Sequence, residues 1–406
     1  MKRFLNFKND YFYGIFFVSL TVLLFFLPVV LGFQSLFEAY PVIYNSKNFV
    51  PPQIKPPWVN DGGTYVRSTV PATLLTVETI KSGHLPLWSP YDGAGENLML
   101  LDSGLYNPLR LLYFLIFDNI RAFDWAIILR FIIAGFGMFL YLKQMEFSRR
   151  GALFGGIAYM FSGYFFTFIS YWFLDIEATL PYVLFGLEKY LHAGDRKIKF
   201  IFLVGVFIGL LTVVGQPQSV ILHGILFGSY FFARVLSEKD YRTEFLRHTR
   251  NFFFMFFVAG MVALPYIFDF LTLIPQALTL YDYGPFTAIK HGLEYASPIY
   301  LLHFFVNPSS FLEVAMGGHL FDQILRLVPY LTLTVLALVF LSFFVKQRPK
   351  FIYFYYGFSV FALLKIFGVL PVQWLGYLPI LSKIGWHKLY GPLAFALCVI
   401  AAFSYD

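Results

Sequence analysis

Acidic side chains that could take part in catalysis fall in two places in the sequence. Asp61 lies in a polar segment, Phe33–Asp118, which holds seven of the 23 acidic residues, and Asp175 and Glu177 follow the aromatic run Tyr171–Phe173. A carboxylate can deprotonate a hydroxyl group, and two carboxylates can orient a substrate or share a metal ion. Structural roles compete with these. Asp61 could complete an Asn-Asp-Gly turn or cap a helix, and Asp175 and Glu177 are residue types that favour a helix N-terminus.

Basic side chains that could bind an anionic group form a second set. Arg130 falls inside an apolar run, where an unpaired charge is costly, so we expect it to have a partner or an aqueous cavity. Lys383 and Lys388 could equally reach toward a membrane surface with no role in binding. The full set of candidate cations is Arg67, Arg110, Arg130, Lys383, His387 and Lys388.

The composition indicates what kind of scaffold must position these groups. Apolar residues make up 58% of the chain and charged residues 13%, and the mean hydropathy is +0.67, far from the values of soluble domains. Runs long enough to cross the hydrocarbon core predict about ten membrane helices in an all-α polytopic protein. They centre on Tyr13–Leu31, Phe123–Leu142, Gly151–Ser170, Leu174–Leu191, Phe200–Gly215, Ser219–Val235, Phe252–Leu271, Leu325–Val345, Phe351–Leu370 and Leu389–Ser404.

The distribution of charge predicts the orientation of these helices. More than half of the 30 Lys and Arg residues fall in short segments that lie on one side if the N-terminus is cytoplasmic, and most acids fall on the other side. Because cytoplasmic loops retain basic residues, the expected topology is N-in and C-in. The net charge of +7 is thus a property of the inner loops, and nucleic-acid binding is a poor explanation for it. Basic inner segments are represented by Lys2, Arg3, Lys143, Arg149, Lys197, Arg234, Arg242, Arg247, Arg250, Lys346 and Lys350.

Two long outer segments, about 33–121 and 272–326, complete the expected single domain of residues 1–406. In the first, the proline-rich stretch Val50–Trp58 should be extended, and a later stretch carries apolar residues at helical spacing from Val66 to Ile80. We expect the latter to be an amphipathic helix on the membrane surface, and we expect Leu109–Phe117, which is too short to cross, to be an interfacial or re-entrant helix. The lone cysteine, Cys398, excludes an internal disulfide and should pack as a small apolar residue.

The segment Lys81–Tyr91, followed by Gly93, Gly95 and Tyr106–Pro108, resembles the G-x-x-P-x-W-x-P signature in the first outer loop of YfhO-like bacterial membrane proteins. Gly215–Gln218 resembles the same family's G-H-P-Q element, with glutamine where histidine is usual. The resemblance covers about residues 13–404. Relatives in that family are usually longer, with further spans and an outer C-terminal domain, so the chain is expected to be a fragment or a minimal version.

The resemblance implies a GT-C glycosyltransferase, an integral enzyme of the bacterial cytoplasmic membrane whose active site faces outside. Such an enzyme moves a sugar, with inversion, from a polyprenyl-phosphate donor to a teichoic acid, glycan or glycolipid acceptor of the cell envelope. The resemblance leaves open whether a divalent cation, Mg²⁺ or Mn²⁺, assists the reaction. The roles implied are catalytic base for Asp61, second acidic or acceptor site for Asp175 and Glu177, donor-phosphate binding for Arg67, Arg130, Lys388 and His387, and stacking on substrate for Trp88 and Tyr91.

Two other classes of function stay open at this point. A transporter or flippase of a lipid-linked or small polar substrate would explain Arg130 and Lys365 as charges along a pathway. It would also explain the Pro and Gly breaks at Gly215–Pro217 and Ala263–Pro265 as discontinuous helices. Against it, the sequence has no evident internal repeat. A non-catalytic assembly scaffold predicts that no outer carboxylate is individually essential.

Overall fold

A computed structural model describes residues 7–36, 70–91, 95, 106–117, 119–169, 171–193, 197–214, 216–273, 293, 295 and 330–406. In this part of the chain the regular structure consists of helices alone, with short 3₁₀ turns between some of them. The predicted all-α class is therefore confirmed. Asp61, Arg67 and the proline-rich stretch Val50–Trp58 lie outside the described residues.

Helices occupy parts of all ten regions predicted to be apolar spans, and two more follow the first predicted span. The sixteen α-helices of the described residues, in chain order, are α1 Phe7–Phe25, α2 Leu27–Val30, α3 Val70–Lys81, α4 Pro108–Ile116, α5 Asn119–Gln144, α6 Arg149–Met160, α7 Gly163–Thr167, α8 Leu174–Leu191, α9 Lys197–Thr212, α10 Pro217–Ser237, α11 Lys239–Thr243, α12 Phe245–Val262, α13 Leu264–Leu273, α14 Leu333–Leu341, α15 Lys350–Ile366 and α16 Tyr390–Tyr405.

Some of these helices are long and apolar enough to cross a membrane. In the described residues, α5 from Arg121 to Gln144 and α10 meet that requirement, and α12 with α13 would meet it as one bent span. Several further apolar helices are shorter, among them α1, α14 and α16. The protein thus has the helices of a membrane protein, while the number of ten spans stays a prediction.

Three of the predicted spans are interrupted: Tyr13–Leu31 divides into α1 and α2, and the other two are interrupted for local reasons. The run Gly151–Ser170 divides into α6 and α7 because the amide of Gly163 donates to the carbonyl of Tyr330 at 2.7 Å instead of continuing the first helix. The run Phe252–Leu271 bends by 73° between α12 and α13. There Pro265 lacks an amide hydrogen and its ring crowds the preceding turn, which breaks a helix.

The core of the bundle is built on α5, α8 and α16. α5 packs against α1, α6 and α8, and α9 packs against α8 and α12. α16 packs against α6, α14 and α15, and every residue from Tyr390 to Ala402 is buried. A helix that is apolar on all sides, as α16 is, is stable only when protein or lipid surrounds it completely.

Ion pairs and hydrogen bonds identify which helix ends lie together. Asp10 at the start of α1 pairs with Arg149 at the start of α6 and with Lys143 at the end of α5, the latter at 3.6 Å. The carboxylate of Asp406 accepts from the amide of Ser148 at 3.1 Å. We call this the basic end of the bundle; it also holds the contacts Lys197 with Glu244, Arg234 with Glu188, and Lys350 with Glu238.

A buried hydrogen-bonded chain fixes α5, α8, α10 and α15 near the basic end. The carboxylate of Glu188 is fully buried. It accepts hydrogen bonds from Nε and Nη2 of Arg234, at 2.8 and 3.1 Å, and from the hydroxyl of Tyr230 at 2.6 Å. Tyr141 donates to Tyr230 at 2.9 Å, so its single hydrogen is used and Tyr355 must donate to Tyr141 at 2.5 Å. A buried charge pair is tolerated when its remaining atoms are bonded in this way.

Candidate functional site

The end of the bundle away from the basic end, where α8, α10 and α16 begin, holds the candidate site. We call it the opposite end. Asp175 lies in the first turn of α8, and Arg130 lies on α5. The Nε of Arg130 donates to Oδ1 of Asp175 at 2.6 Å, and Nη1 donates to the carbonyl of Ile169 at 3.1 Å. Arg130, which was predicted to need a partner, is therefore paired with Asp175. In the sequence these two residues fell in separate sets of candidates.

Asn107 completes the surroundings of Asp175. Its Nδ2 donates to Oδ2 of Asp175 at 3.1 Å, so both carboxylate oxygens are bonded. The side chain of Arg130 is only 6% exposed and that of Asp175 is 18% exposed. Because a buried charge is costly unless it is paired and bonded, this arrangement holds the two side chains in fixed positions.

A small cavity adjoins the pair. Its volume is about 30 Å³, which is room for water but not for a sugar ring. Burial, and after it the nearby Asp175 carboxylate, raise the pKa of the Tyr113 hydroxyl to about 12, so Tyr113 is a neutral donor on the cavity wall. The lining residues are Asn107, Tyr113, Ala126, Arg130, Ile133, Asp175, Ala178 and Thr179.

Glu177 is buried on a different side of α8 and has different partners. Its Oε2 lies 2.8 Å from Nε2 of His223 on α10, and its backbone carbonyl accepts from the hydroxyl of Tyr159 at 2.8 Å. The Nδ1 of His223 donates to the carbonyl of Ser219 at 2.7 Å and therefore carries a hydrogen. Nε2 of His223 and Oε2 of Glu177 can form a hydrogen bond only if a proton lies between them. Glu177 and His223 therefore share one proton in addition to the hydrogen on Nδ1.

Glycine at position 391 is required for Glu177 to lie where it does. A β-carbon on Gly391 would overlap the Glu177 carboxyl group, and Oε2 would be only 2.7 Å from it. Gly391 is the second residue of α16, so this close approach fixes the start of α16 against α8. The contact thus places the buried helix α16 directly against Glu177, the acid that is bonded to His223.

Lys388 and Lys365 both lie over aromatic rings at this end. The Nζ of Lys388 is 4.1 Å from the ring centroid of Phe173, the residue before α8. The Nζ of Lys365 is 4.3 Å from the ring of Trp386 and donates to Oε1 of Gln373 at 2.6 Å. Cations over ring faces are attracted by the ring quadrupole. Lys388 therefore lies over the ring of the residue two positions before Asp175 in the sequence.

The other predicted site residues that the structure describes lie on the segment after α3, on α4 and on the turns before α16. Trp88 and Tyr91 are exposed, by 60% and 81%, on the segment after α3. Lys383 is exposed, and its backbone carbonyl accepts a hydrogen bond from Nε2 of Gln218 at 3.3 Å. Arg110 lies on α4, and His387 lies in the 3₁₀ turn Trp386–Leu389.

Within the described residues, no group of three or more His, Cys, Asp or Glu side chains is arranged to hold a metal ion. Asp175 is bonded to Arg130 and Asn107, whereas Glu177 is bonded to His223. The two acids therefore do not form the shared metal site that the sequence left open. Each has its own set of partners.

Sequence reasoning missed three residues of the site. Asn107 was recognised only as part of the Tyr106–Pro108 motif. His223 was not among the candidate residues, although its position four residues after Ser219 on one helix face could have indicated the hydrogen bond to the Ser219 carbonyl. Gln218, in the Gly-Gln-Pro-Gln element, also bonds to the amide of Gly385 and so ties α10 to the turn before α16.

Neither a family model, nor a curated protein, nor a solved structure matches this chain.

Proposed function

We propose that the protein is a membrane glycosyltransferase that moves a sugar from a polyprenyl-phosphate donor to a cell-envelope acceptor. The observation that carries the proposal is the mostly buried cluster of Asp175, Arg130 and Asn107 at the opposite end, where Lys388 lies over the ring of Phe173. Transfer from a lipid phosphate needs fixed acids, donors and cations at one end of an apolar bundle. The YfhO-like signature in Lys81–Tyr91 supports the same reading.

In the proposed reaction, Asp61 takes the proton of an acceptor hydroxyl. The hydroxyl oxygen attacks C1 of the sugar with inversion, the bond from C1 to the phosphate oxygen breaks, and the polyprenyl phosphate leaves with its electron pair. The phosphate is stabilised by Arg67, Arg130, Lys388 and His387. Because Asp175 neutralises Arg130, we assign Asp175 and Asn107 to positioning the guanidinium group rather than to proton transfer.

The proposed orientation follows from the charges. Lys143, Arg149, Lys197, Arg234 and Lys350 lie at the basic end, and we place that end in the cytoplasm because cytoplasmic segments retain basic residues. The opposite end then faces outward, toward a donor whose prenyl chain lies between the helices. The protein would be a multi-pass protein of the bacterial cytoplasmic membrane.

The test is transfer of labelled sugar from a polyprenyl-phosphate donor in membranes carrying wild type or single variants. Asp61→Asn should reduce transfer by about 10²-fold or more, as loss of a general base does. Asp175→Asn should reduce it less. Asp240→Asn changes an acid of α11, at the basic end, in the same way and should leave transfer unchanged.

Full activity of Asp61→Asn, in protein that is folded and equally abundant, would overturn the role of Asp61. A second function, transport or flipping of a lipid-linked substrate, is favoured by one observation, the 73° bend at Pro265, which resembles the broken helices of transporters. Wild-type proteoliposomes that transfer no sugar but move a labelled lipid between leaflets would establish that function instead.

A further inference from the structure

A groove at the basic end is unrelated to the site described above. It lies between the first turns of α9 and α12 and has a volume of about 500 Å³. Three cations and an amide form one part of its lining and apolar side chains form the rest. We call it the basic groove; its residues are Lys197, Ile198, Ile201, Arg247, Arg250, Asn251 and Phe254.

The groove exists because α9 and α12 approach closely farther along and separate here. A β-carbon on Gly205 would lie 2.6 Å from the Val258 side chain, and one on Gly209 would lie 2.6 Å from Val262. Small residues four apart allow helix backbones to pack this closely. Nearer the basic end, Lys197 and Arg247 occupy the interface instead, so the two helices leave an open space between them.

Along α12 the lining changes from charged to apolar in one direction. Arg247, Arg250, Asn251 and Phe254 share one helix face because they are three or four residues apart. At 1.5 Å per residue, Arg247 and Phe254 are roughly 10 Å apart along the axis. That distance spans the headgroup layer of one leaflet, which is about 5–7 Å thick, and reaches the hydrocarbon.

The charge of the groove is positive. Glu244 lies 3.7 Å from Lys197 and also pairs with Arg247, whereas Arg250 makes no ion pair with any described residue. Three cations thus face a single acid in the described part of the chain. The surface continuing from the groove is apolar and exposed: Phe253 is 67% exposed, and Phe257 is 61% exposed.

We infer that the basic groove is a binding site for an anionic phospholipid of the leaflet at the basic end. The phosphate lies among Lys197, Arg247 and Arg250, and the acyl chains follow Ile201, Phe254 and the exposed phenylalanines. Asn251 Nδ2 donates one hydrogen to the Tyr190 hydroxyl at 3.0 Å and has its second hydrogen for the headgroup. Charge complementarity favours an anionic headgroup, and the apolar continuation favours a lipid over free phosphate. This inference does not depend on the proposed glycosyl transfer.

The experiment is native mass spectrometry of the purified full chain, titrated in detergent with phosphatidylglycerol, phosphatidylcholine or inorganic phosphate. We expect wild type to bind phosphatidylglycerol about tenfold more tightly than phosphatidylcholine, and inorganic phosphate at the same concentration not to displace the lipid. The double variant Arg247→Gln/Arg250→Gln should lose about 25-fold in affinity for phosphatidylglycerol, because each of the two cations near an anionic headgroup adds about fivefold.

Arg242→Gln is the matched control, since Arg242 is an exposed arginine of α11 that does not line the groove. It should bind phosphatidylglycerol as wild type does. Equal binding of the two lipids by wild type would overturn the inference without any variant. Displacement of phosphatidylglycerol by inorganic phosphate would identify a phosphate site instead, and an equal loss in Arg242→Gln would show that only overall charge matters.

Discussion

At the scale of single residues, the acids of the opposite end differ in what their partners allow. Asp175 accepts a hydrogen bond from a permanently charged guanidinium group, whereas Glu177 is hydrogen-bonded to the imidazole of His223. The two acids are only two residues apart in sequence. Their different surroundings arise because positions 175 and 177 lie on different sides of α8. Asp175 faces α5, and Glu177 faces α10.

The pair of Arg130 and Asp175 predicts strongly non-additive stability. Arg130→Leu or Asp175→Leu alone should cost about 3 kcal/mol, because each leaves a mostly buried charge without its partner. The double variant should cost less than either single variant, since it removes both charges. Equilibrium unfolding in mixed micelles measures these values.

This stability measurement separates structure from catalysis, since it needs no substrate. If the two single changes add in the double variant, the pair contributes no coupling and Asp175 does not position Arg130. A coupling of about 2 kcal/mol or more would support the positioning role even if neither single variant retains activity.

The sequence predicted that Arg130 needs a partner but could not identify it. The cost of an unpaired charge in an apolar helix is a local argument, and it holds for any fold. The choice of Asp175, 45 positions away, depends on how α5 and α8 pack. For the same reason the sequence could not distinguish Asp175 from Glu177, which are similar in type and location.

At the scale of helices, the contact between Gly391 and Glu177 predicts the effect of one methyl group. Gly391→Ala should destabilise the protein by about 1–3 kcal/mol, because the new methyl would displace a buried carboxyl group that His223 holds in place. Gly357 on α15 has nothing within 4 Å of the corresponding position. Gly357→Ala should therefore be neutral or stabilise by up to about 1 kcal/mol.

Thermal unfolding of the two glycine variants side by side tests this contact. An unchanged melting temperature in Gly391→Ala would mean that α16 and α8 can separate enough to accept the methyl. In that case Glu177 would not be fixed by α16.

Apolar runs predicted the existence of the helices well but not their continuity. Leu174–Leu191 was predicted with the bounds that α8 has, and the helix continues through Pro181. The run Gly151–Ser170 is equally apolar but divides at Ser162, where a backbone hydrogen bond to Tyr330 replaces one within the helix. Hydropathy records which residues avoid water, and it does not record which distant backbone group will accept an amide hydrogen.

At the scale of the whole molecule, the orientation can be tested with introduced cysteines. Cys398 is fully buried, so an impermeant maleimide should not label the wild-type protein. Leu85→Cys, at a position 77% exposed, should be labelled in intact cells, and Arg242→Cys should be labelled only after the cells are opened. The reverse pattern would place the basic end outside and would remove the proposed outward-facing site.

The burial of α16 has a consequence for biosynthesis. Among the described helices, α16 is translated last, yet it contacts α6, α14 and α15 and carries the glycine against which Glu177 packs. While the ribosome is still making the preceding residues, the space that α16 will occupy must be filled by lipid tails or by loosely packed neighbours. Among the described helices, the core therefore closes only when α16 packs, and the contact between Glu177 and His223 is enclosed at that step.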